Sequence, residues 1–213
     1  MPKREPSLVQ NEVYHIFNRG VEKRNIFLNE KDYKHFLETL EYYQVPNNIK
    51  LSKKSLLRPK RTANESLVEI LCYCLMPNHF HLLIRQKCDN GISIFMNRVL
   101  NSFTKYFNTK NERIGPLFQG RFKAVRIESD EQLLHVSRYI HLNPLVSDIV
   151  GDLKNYQWSS YPVYAGLVES QNISINPQDI LAHFSSNEDY KKFVADQADY
   201  ARSLEEIKHR LFD

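Results

Sequence analysis

The feature that most constrains the fold is a pair of apolar runs, VEILCYCLM at 68–76 and HFHLLIR at 79–85, separated only by Pro77-Asn78. Proline followed by asparagine is turn chemistry, so the two runs predict an antiparallel hairpin, around which the rest of the chain has to be arranged. Upstream, EVYHIF at 12–17 alternates in part, is rich in β-formers and is punctuated by Asn18-Arg19-Gly20, which predicts a first strand. Asn29 is a good N-cap for a helix carrying Tyr33, Phe36, Leu37 and Leu40 at helical spacing, with Glu30 and Asp32 in its first turn and an end near Val45-Pro46.

After Asn90-Gly91, the positions Ile94, Phe95, Val99, Leu100, Phe103 and Phe107 form one helical stripe, with Asn97, Arg98, Asn101 and Lys105 off it. GPLFQGRFKAVRI at 115–127 begins as a loop and ends as an alternating strand. A last helix is expected from Ser129 through Leu133, Leu134 and Val136 to Leu142, stopping at Asn143 before Pro144. The order strand, helix, strand, strand, helix, strand, helix matches the split βαβ plait. The fold expected is therefore α+β and ferredoxin-like, an antiparallel sheet with helices on one face. Residues 1–145 would form the main domain. Residues 146–213, with YQWSSYPVYAG and a helical segment around 188–211, would form an accessory C-terminal part.

Composition sets the outer limits. The chain has 213 residues, 42% of them apolar, enough for one well-packed core. With 25% charged residues, 12% aromatics and only 15 Gly and Pro, the disordered and low-complexity classes are excluded. No run approaches the roughly 18 apolar residues of a membrane span, and the first residues lack a secretory pattern, so no membrane association and a cytoplasmic location are expected. Cys72, Cys74 and Cys88 make an odd set, best read as buried thiols rather than a disulfide framework or a metal site.

The net charge of +4 conceals an asymmetry. Residues 1–145 hold 23 Lys and Arg against 14 Asp and Glu, whereas residues 146–213 hold 6 against 11. Clustered cations gain affinity for polyanions by releasing counterions, so a polyanion site belongs in the first two thirds. The densest stretch, 46–66, has six cations against Glu65 and reads as an exposed basic loop, either a solvated insertion or a phosphate-contacting arm.

His79 and His81 stand two apart in the second strand of the hairpin, so their side chains leave one face about 7 Å apart and can grip one divalent metal. A histidine on a half-buried strand can equally be a hydrogen-bonded structural group. In RYIHLNP at 138–144, Tyr139 and Asn143 are four apart and share a helical face with His135 one turn earlier. An asparagine oxygen can complete a metal site and a tyrosine oxygen can act as a covalent nucleophile. Spacing alone also allows Tyr139 as a core aromatic and Asn143 as a helix cap.

At MPNHFHLLI (76–84), GPLFQGRF (115–122), RYIHLNP (138–144), WSSY (158–161) and YHIFNRG (14–20), the chain resembles the REP-associated tyrosine transposases, within the single-tyrosine HUH transposases. The likeness covers roughly residues 11–166. It implies the same ferredoxin-like fold, a divalent metal (Mg or Mn) held by His79, His81 and Asn143, and Tyr139 as the nucleophile that cuts single-stranded DNA through a 5′-phosphotyrosine. The enlarged stretch at 46–66 departs from the compact family pattern. Tyr106, in TKYFN, competes with Tyr139, but position 110 is Lys rather than Asn or Gln, so Tyr106 is read as structural or DNA-facing.

Single-stranded or hairpin DNA suits the supply of aromatics and cations, with Arg19, Arg85, Arg98, Lys105, Arg121 and Lys123 as candidate phosphate contacts. The oligomeric expectation is a monomer or homodimer. Two other readings use the same residues. A non-catalytic nucleic-acid-binding module would keep the fold without the chemistry, and a metal phosphoesterase would use water as nucleophile.

Overall fold

A computed structural model describes residues 7–45, 66–169 and 173–198. Most of the basic stretch, 46–65, lies outside them. The expected plait is present. Strand β1 (Val13–Arg19), helix α1 (Glu30–Tyr43), strands β2 (Val68–Met76) and β3 (His79–Gln86), helix α2 (Gly91–Lys110) and strand β4 (Lys123–Arg126) follow in order. They build one four-stranded antiparallel sheet with the order β2-β3-β1-β4. The local signals act as expected: Asn29 caps α1 in a capping box with Asp32, and Ser129 caps helix α3 (Asp130–Val146) by accepting from the Gln132 N–H.

Strand alternation sends two sets of side chains to two cores. Tyr14, Ile16, Phe80, Leu82 and Ile84 pack with Phe36, Phe95, Val99 and Phe103 of α1 and α2 on one face. Leu71, Cys72, Cys74 and Leu83 point to the other face, which is covered by Leu133, Ile140 and Leu142 of α3 together with later residues. The plait's own helices thus share one face, and α3 crosses the opposite one. Both β2 cysteines are buried thiols.

Helix α3 does not stop before Pro144 but runs through it to Val146. A proline inside a helix withholds one hydrogen bond, here from the Ile140 carbonyl. With only Leu145 and Val146 of the helix after it, the proline costs this one bond and interrupts no further turn. The final turn is closed by Ser147 N–H to the Asn143 carbonyl at 3.0 Å and Ile149 N–H to the Pro144 carbonyl at 2.9 Å.

The C-terminal part continues through short helices α4 (Tyr161–Tyr164) and α5 (Gln178–Leu181) to α6 (Asn187–Ala195). Of the helical segment expected around 188–211, the first part is α6, and residues beyond 198 are outside the described set. WSSY lies along the open edge of β2. Leu75 N–H donates to the Trp158 carbonyl at 2.9 Å, Ser160 N–H to the Tyr73 carbonyl at 3.0 Å, and Tyr73 N–H to Ser160 Oγ at 2.9 Å. These bonds occupy edge groups that would otherwise invite a foreign strand. Among the described residues, no helix is long and apolar enough to cross a membrane.

His141 of α3 ties these layers together. Its Nε2 lies 2.8 Å from Ser160 Oγ, its Nδ1 lies 2.7 Å from the Tyr190 hydroxyl of α6, and the residue is fully buried. Burial pulls its pKa down to about 3. Below pH 6.5 the unfolded chain takes up a proton that the folded chain refuses, so stability falls as pH drops from about 6.5 towards 3. This group should contribute about 1.4 kcal/mol of lost stability per pH unit between roughly pH 6 and pH 4. Urea denaturation across that range should show a shallower acid slope by about that amount in His141→Gln than in the wild type.

Candidate active site

The β3 histidines lie on the face that α3 crosses. His79 is half-buried and His81 only 5% exposed. Their ring centres are 5.0 Å apart. The turn before them is pinned by the segment after β1. Gly20 N–H donates to the Asn78 carbonyl at 2.8 Å, and the Ile26 and Phe27 N–H groups donate to the Pro77 carbonyl at 2.8 and 3.1 Å. Any Cβ at Gly20 would stand 2.2 Å from the Arg24 carbonyl oxygen, so this close passage requires glycine. Asn78 then orients the first histidine: His79 Nδ1 lies 2.6 Å from Asn78 Oδ1. A carboxamide oxygen only accepts, so the proton is on Nδ1 and the lone pair on Nε2.

Tyr139 of α3 stands beside this pair. Its ring centre is 5.5 Å from that of His81, edge to face, and its side chain is 50% exposed. Asn143, one turn later and 9% exposed, donates from Nδ2 to the Tyr139 carbonyl at 2.8 Å, which leaves the carboxamide oxygen as the end able to meet a cation. His135 is turned to other partners, with Nδ1 2.7 Å from an Arg138 nitrogen and Nε2 3.7 Å from a Glu131 carboxylate oxygen. Tyr106 lies on the far side of the sheet, stacked on His35 at 3.9 Å and donating to Asp32 at 2.9 Å.

The residue that the sequence reading passed over is His15. It stands on β1 with its Nε2 2.9 Å from His81 Nδ1, and its ring is stacked 5.1 Å from that of His81 and edge-on to Tyr139 at 6.0 Å. The signal was available in strand parity. In a split βαβ plait β1 lies beside β3, and His15 is diagonal to His81 because Phe17 is paired with His81. Burial pulls His15 down to about 4; it holds His81 well below the ordinary histidine range too, with His79 and His15 adding to the effect. All this favours neutral imidazoles, the form that a metal ion binds.

The cationic candidates divide by location. Arg19, whose Nε donates to Gln119 at 2.6 Å, Arg121 and Lys123 are exposed at or near the histidine end of the sheet. Arg19 is the register partner of His79, and Lys123 Nζ lies 6.0 Å from the centre of the Phe17 ring. Arg98 and Lys105 belong to α2, across the sheet from the histidines. Arg85 is half-buried and bridges Glu69 of β2, at 2.9 Å, to Asp179 of α5, so its charge is neutralised internally.

A protein-family model described as "Transposase IS200 like" matches residues 8–143, which include both histidines, Tyr139 and Asn143. The chain belongs to the IS200-like transposase family. It is 26% identical over 112 residues to a Haemophilus influenzae protein carrying the name REP-associated tyrosine transposase, an alignment that covers 48% of this chain and 64% of that relative. Its fold is similar to that of a REP-associated tyrosine transposase solved bound to a REP hairpin, with a TM-score of 0.55, 16% identity, and coverage of 83% of this chain and 95% of the other. The transposase plait, including its antiparallel sheet, is therefore the fold of this chain.

Asp32, on the other face, is fully buried. Burial pushes its carboxyl up, but Lys110, the Leu28 N–H and the Tyr106 hydroxyl together outweigh this and hold it below the usual range. Tyr106→Phe should therefore lower stability by about 1.5–3 kcal/mol, the loss of a hydrogen bond to a charged group. Histidine ring NMR signals from residues 15, 79 and 81 should stay in place, since the sheet separates the two clusters; equilibrium denaturation and NMR together check this.

Proposed function

We propose that this IS200-like transposase cleaves and rejoins single-stranded DNA, folded as hairpins or repeats, through a covalent 5′-phosphotyrosine on Tyr139. The observation that carries this reading is the half-exposed Tyr139 ring 5.5 Å from the His81 ring, on one side of one sheet. In the first step the Tyr139 oxygen bonds to phosphorus, its proton departs, and the bond to the 3′ oxygen breaks as that oxygen takes up a proton. The phosphodiester energy is kept in the tyrosine ester, so attack by an incoming 3′-hydroxyl restores both tyrosine and strand. No nucleotide energy source is needed.

The donor set suits a divalent cation. Among the described residues, no three or more His, Cys, Asp or Glu side chains are arranged to hold a metal; the set proposed here is the two imidazoles of His79 and His81 with the Asn143 oxygen. Neutral nitrogens favour Mn²⁺ over Mg²⁺, which prefers an all-oxygen shell. When bound, such an ion would supply Lewis acidity, polarising the scissile phosphate and easing ionisation of a phenol whose ordinary pKa is near 10. The chain's residues do the remainder: α3 aims Tyr139, while Arg19, Arg121 and Lys123 attract the phosphate backbone. The hairpin bound by the structurally similar transposase supports a DNA hairpin as partner. This chemistry acts on cytoplasmic DNA, and Tyr139 stands beside His81 within one protomer.

Incubation with a single-stranded hairpin oligonucleotide and Mn²⁺ should yield a covalent adduct on denaturing gels. Tyr139→Phe should abolish that adduct while binding persists, whereas an undiminished adduct in this variant, lost instead in Tyr106→Phe, would overturn the assignment. Charge location makes a separate forecast. Arg121→Gln with Lys123→Gln should weaken binding and flatten its salt dependence by about 0.7 log units per lost phosphate contact, while Arg98→Gln with Lys105→Gln should leave the slope unchanged. Fluorescence anisotropy titrations over a salt series measure both.

A further inference from the structure

Two histidines of this site have their proton positions set in different ways. His79 Nδ1 meets Asn78 Oδ1 at 2.6 Å, and an obligate acceptor leaves one tautomer only. His81 Nδ1 meets another imidazole nitrogen, His15 Nε2, at 2.9 Å. One proton sits between them, and its owner decides what His81 can do. If His81 donates, its Nε2 holds a lone pair and can bind a cation. If His15 donates, His81 Nε2 carries the remaining proton and cannot.

We propose that His15 is a positioning residue for the cation site. It accepts the Nδ1–H of His81, fixing the tautomer that presents Nε2 as a ligand and holding the plane of the ring. The inference rests on the reading above that His79 and His81 hold a divalent cation, and it adds an outer residue that orients one of them. Three observations support it. The antiparallel register puts His15 diagonal to His81 on the same sheet face, so contact is built into the backbone. The rings are stacked at 25°, with centres 5.1 Å apart, a fixed mutual orientation. His81 is 5% exposed, so little solvent is at hand to replace His15 as acceptor. Metal-binding histidines commonly donate their second N–H to such a partner, and loss of the partner typically weakens metal binding 10- to 100-fold.

The test uses the full chain without DNA, as wild type, His15→Phe, His15→Gln, His79→Ala and His81→Ala. Phenylalanine keeps the ring packing and removes the acceptor, whereas glutamine restores an acceptor oxygen near the place of Nε2. Mn²⁺ alone is titrated and followed by electron paramagnetic resonance, and nitrogen NMR of labelled histidine reads the His81 tautomer in the metal-free protein. The expected results are a His81 proton on Nδ1 in the wild type, a mixed tautomer in His15→Phe, and 10- to 100-fold weaker Mn²⁺ binding there that His15→Gln largely restores. A His81 proton on Nε2 in the wild type, or Mn²⁺ affinity unchanged in His15→Phe, would overturn the proposal. Wild-type Mn²⁺ binding that survives both His79→Ala and His81→Ala would overturn the cation reading instead, and the tautomer measurement would still decide whether His15 fixes the His81 ring.

Discussion

Burial of β3 on both faces is the constraint from which the site follows. β3 lies between β2 and β1, with Phe80, Leu82 and Ile84 against the α1/α2 core and His81 and Leu83 under α3. An imidazole in so dry a setting resists protonation, because the charged form loses its hydration. It also has to find hydrogen-bond partners within the protein. Neutral, directed nitrogens are what a cation site requires, and here they arise from placing polar residues on an interior strand. The same pressure accounts for the pinned turn before β3, where three backbone donors converge on the Pro77 and Asn78 carbonyls and hold Asn78 beside His79.

Helix α3 serves two sides at once. One side is fastened: His141 joins Ser160 at the β2 edge to Tyr190 of α6, and Ser137 Oγ lies 3.3 Å from the same Tyr190 hydroxyl. The other side carries Tyr139, half-exposed over His15 and His81. In the proposed role Tyr139 has to reach solvent-borne substrate, so its position depends on the anchoring of the opposite side of the helix. The C-terminal part therefore shares a core with the sheet and bears on the site through α3, although none of its described residues is among the ring contacts of His15, His79 and His81.

The hairpin, α1 and α2 were legible almost to the residue because turn chemistry, caps and apolar spacing all pointed the same way. The end of α3 was not, since a rule about proline inside helices overstates the loss of one bond in a final turn. Which face α3 would cover was equally hidden: its buried set includes Ser137 and His141, polar residues that meet Tyr190 and Ser160 far away in sequence, and Asn143, bonded within the helix, so no clean apolar stripe marks the inner side. His15 needed strand parity and sheet order taken together. Arg85 looked available because its two carboxylate partners, Glu69 and Asp179, come from another strand and from a short helix beyond residue 170.

The basic excess of the first 145 residues did not by itself define a surface, because the sheet divides it. Arg98 and Lys105 stand on α2, where Lys110 is already committed to the buried Asp32. On the histidine side the arrangement differs. β4 is an edge strand of four residues, and its Lys123 and Val125 lie exposed beside Phe17 and His15, their register partners on β1. That half of the face offers an aromatic ring, an apolar side chain and a cation next to Tyr139. An unpaired nucleotide presents the complementary set: a base that can lie against the ring and a phosphate that can meet the cation. A duplex presents its bases already stacked and paired, so the same patch would meet only its backbone. The mixed character of this half-face, rather than the net charge of the segment, is what supports the proposed single strand.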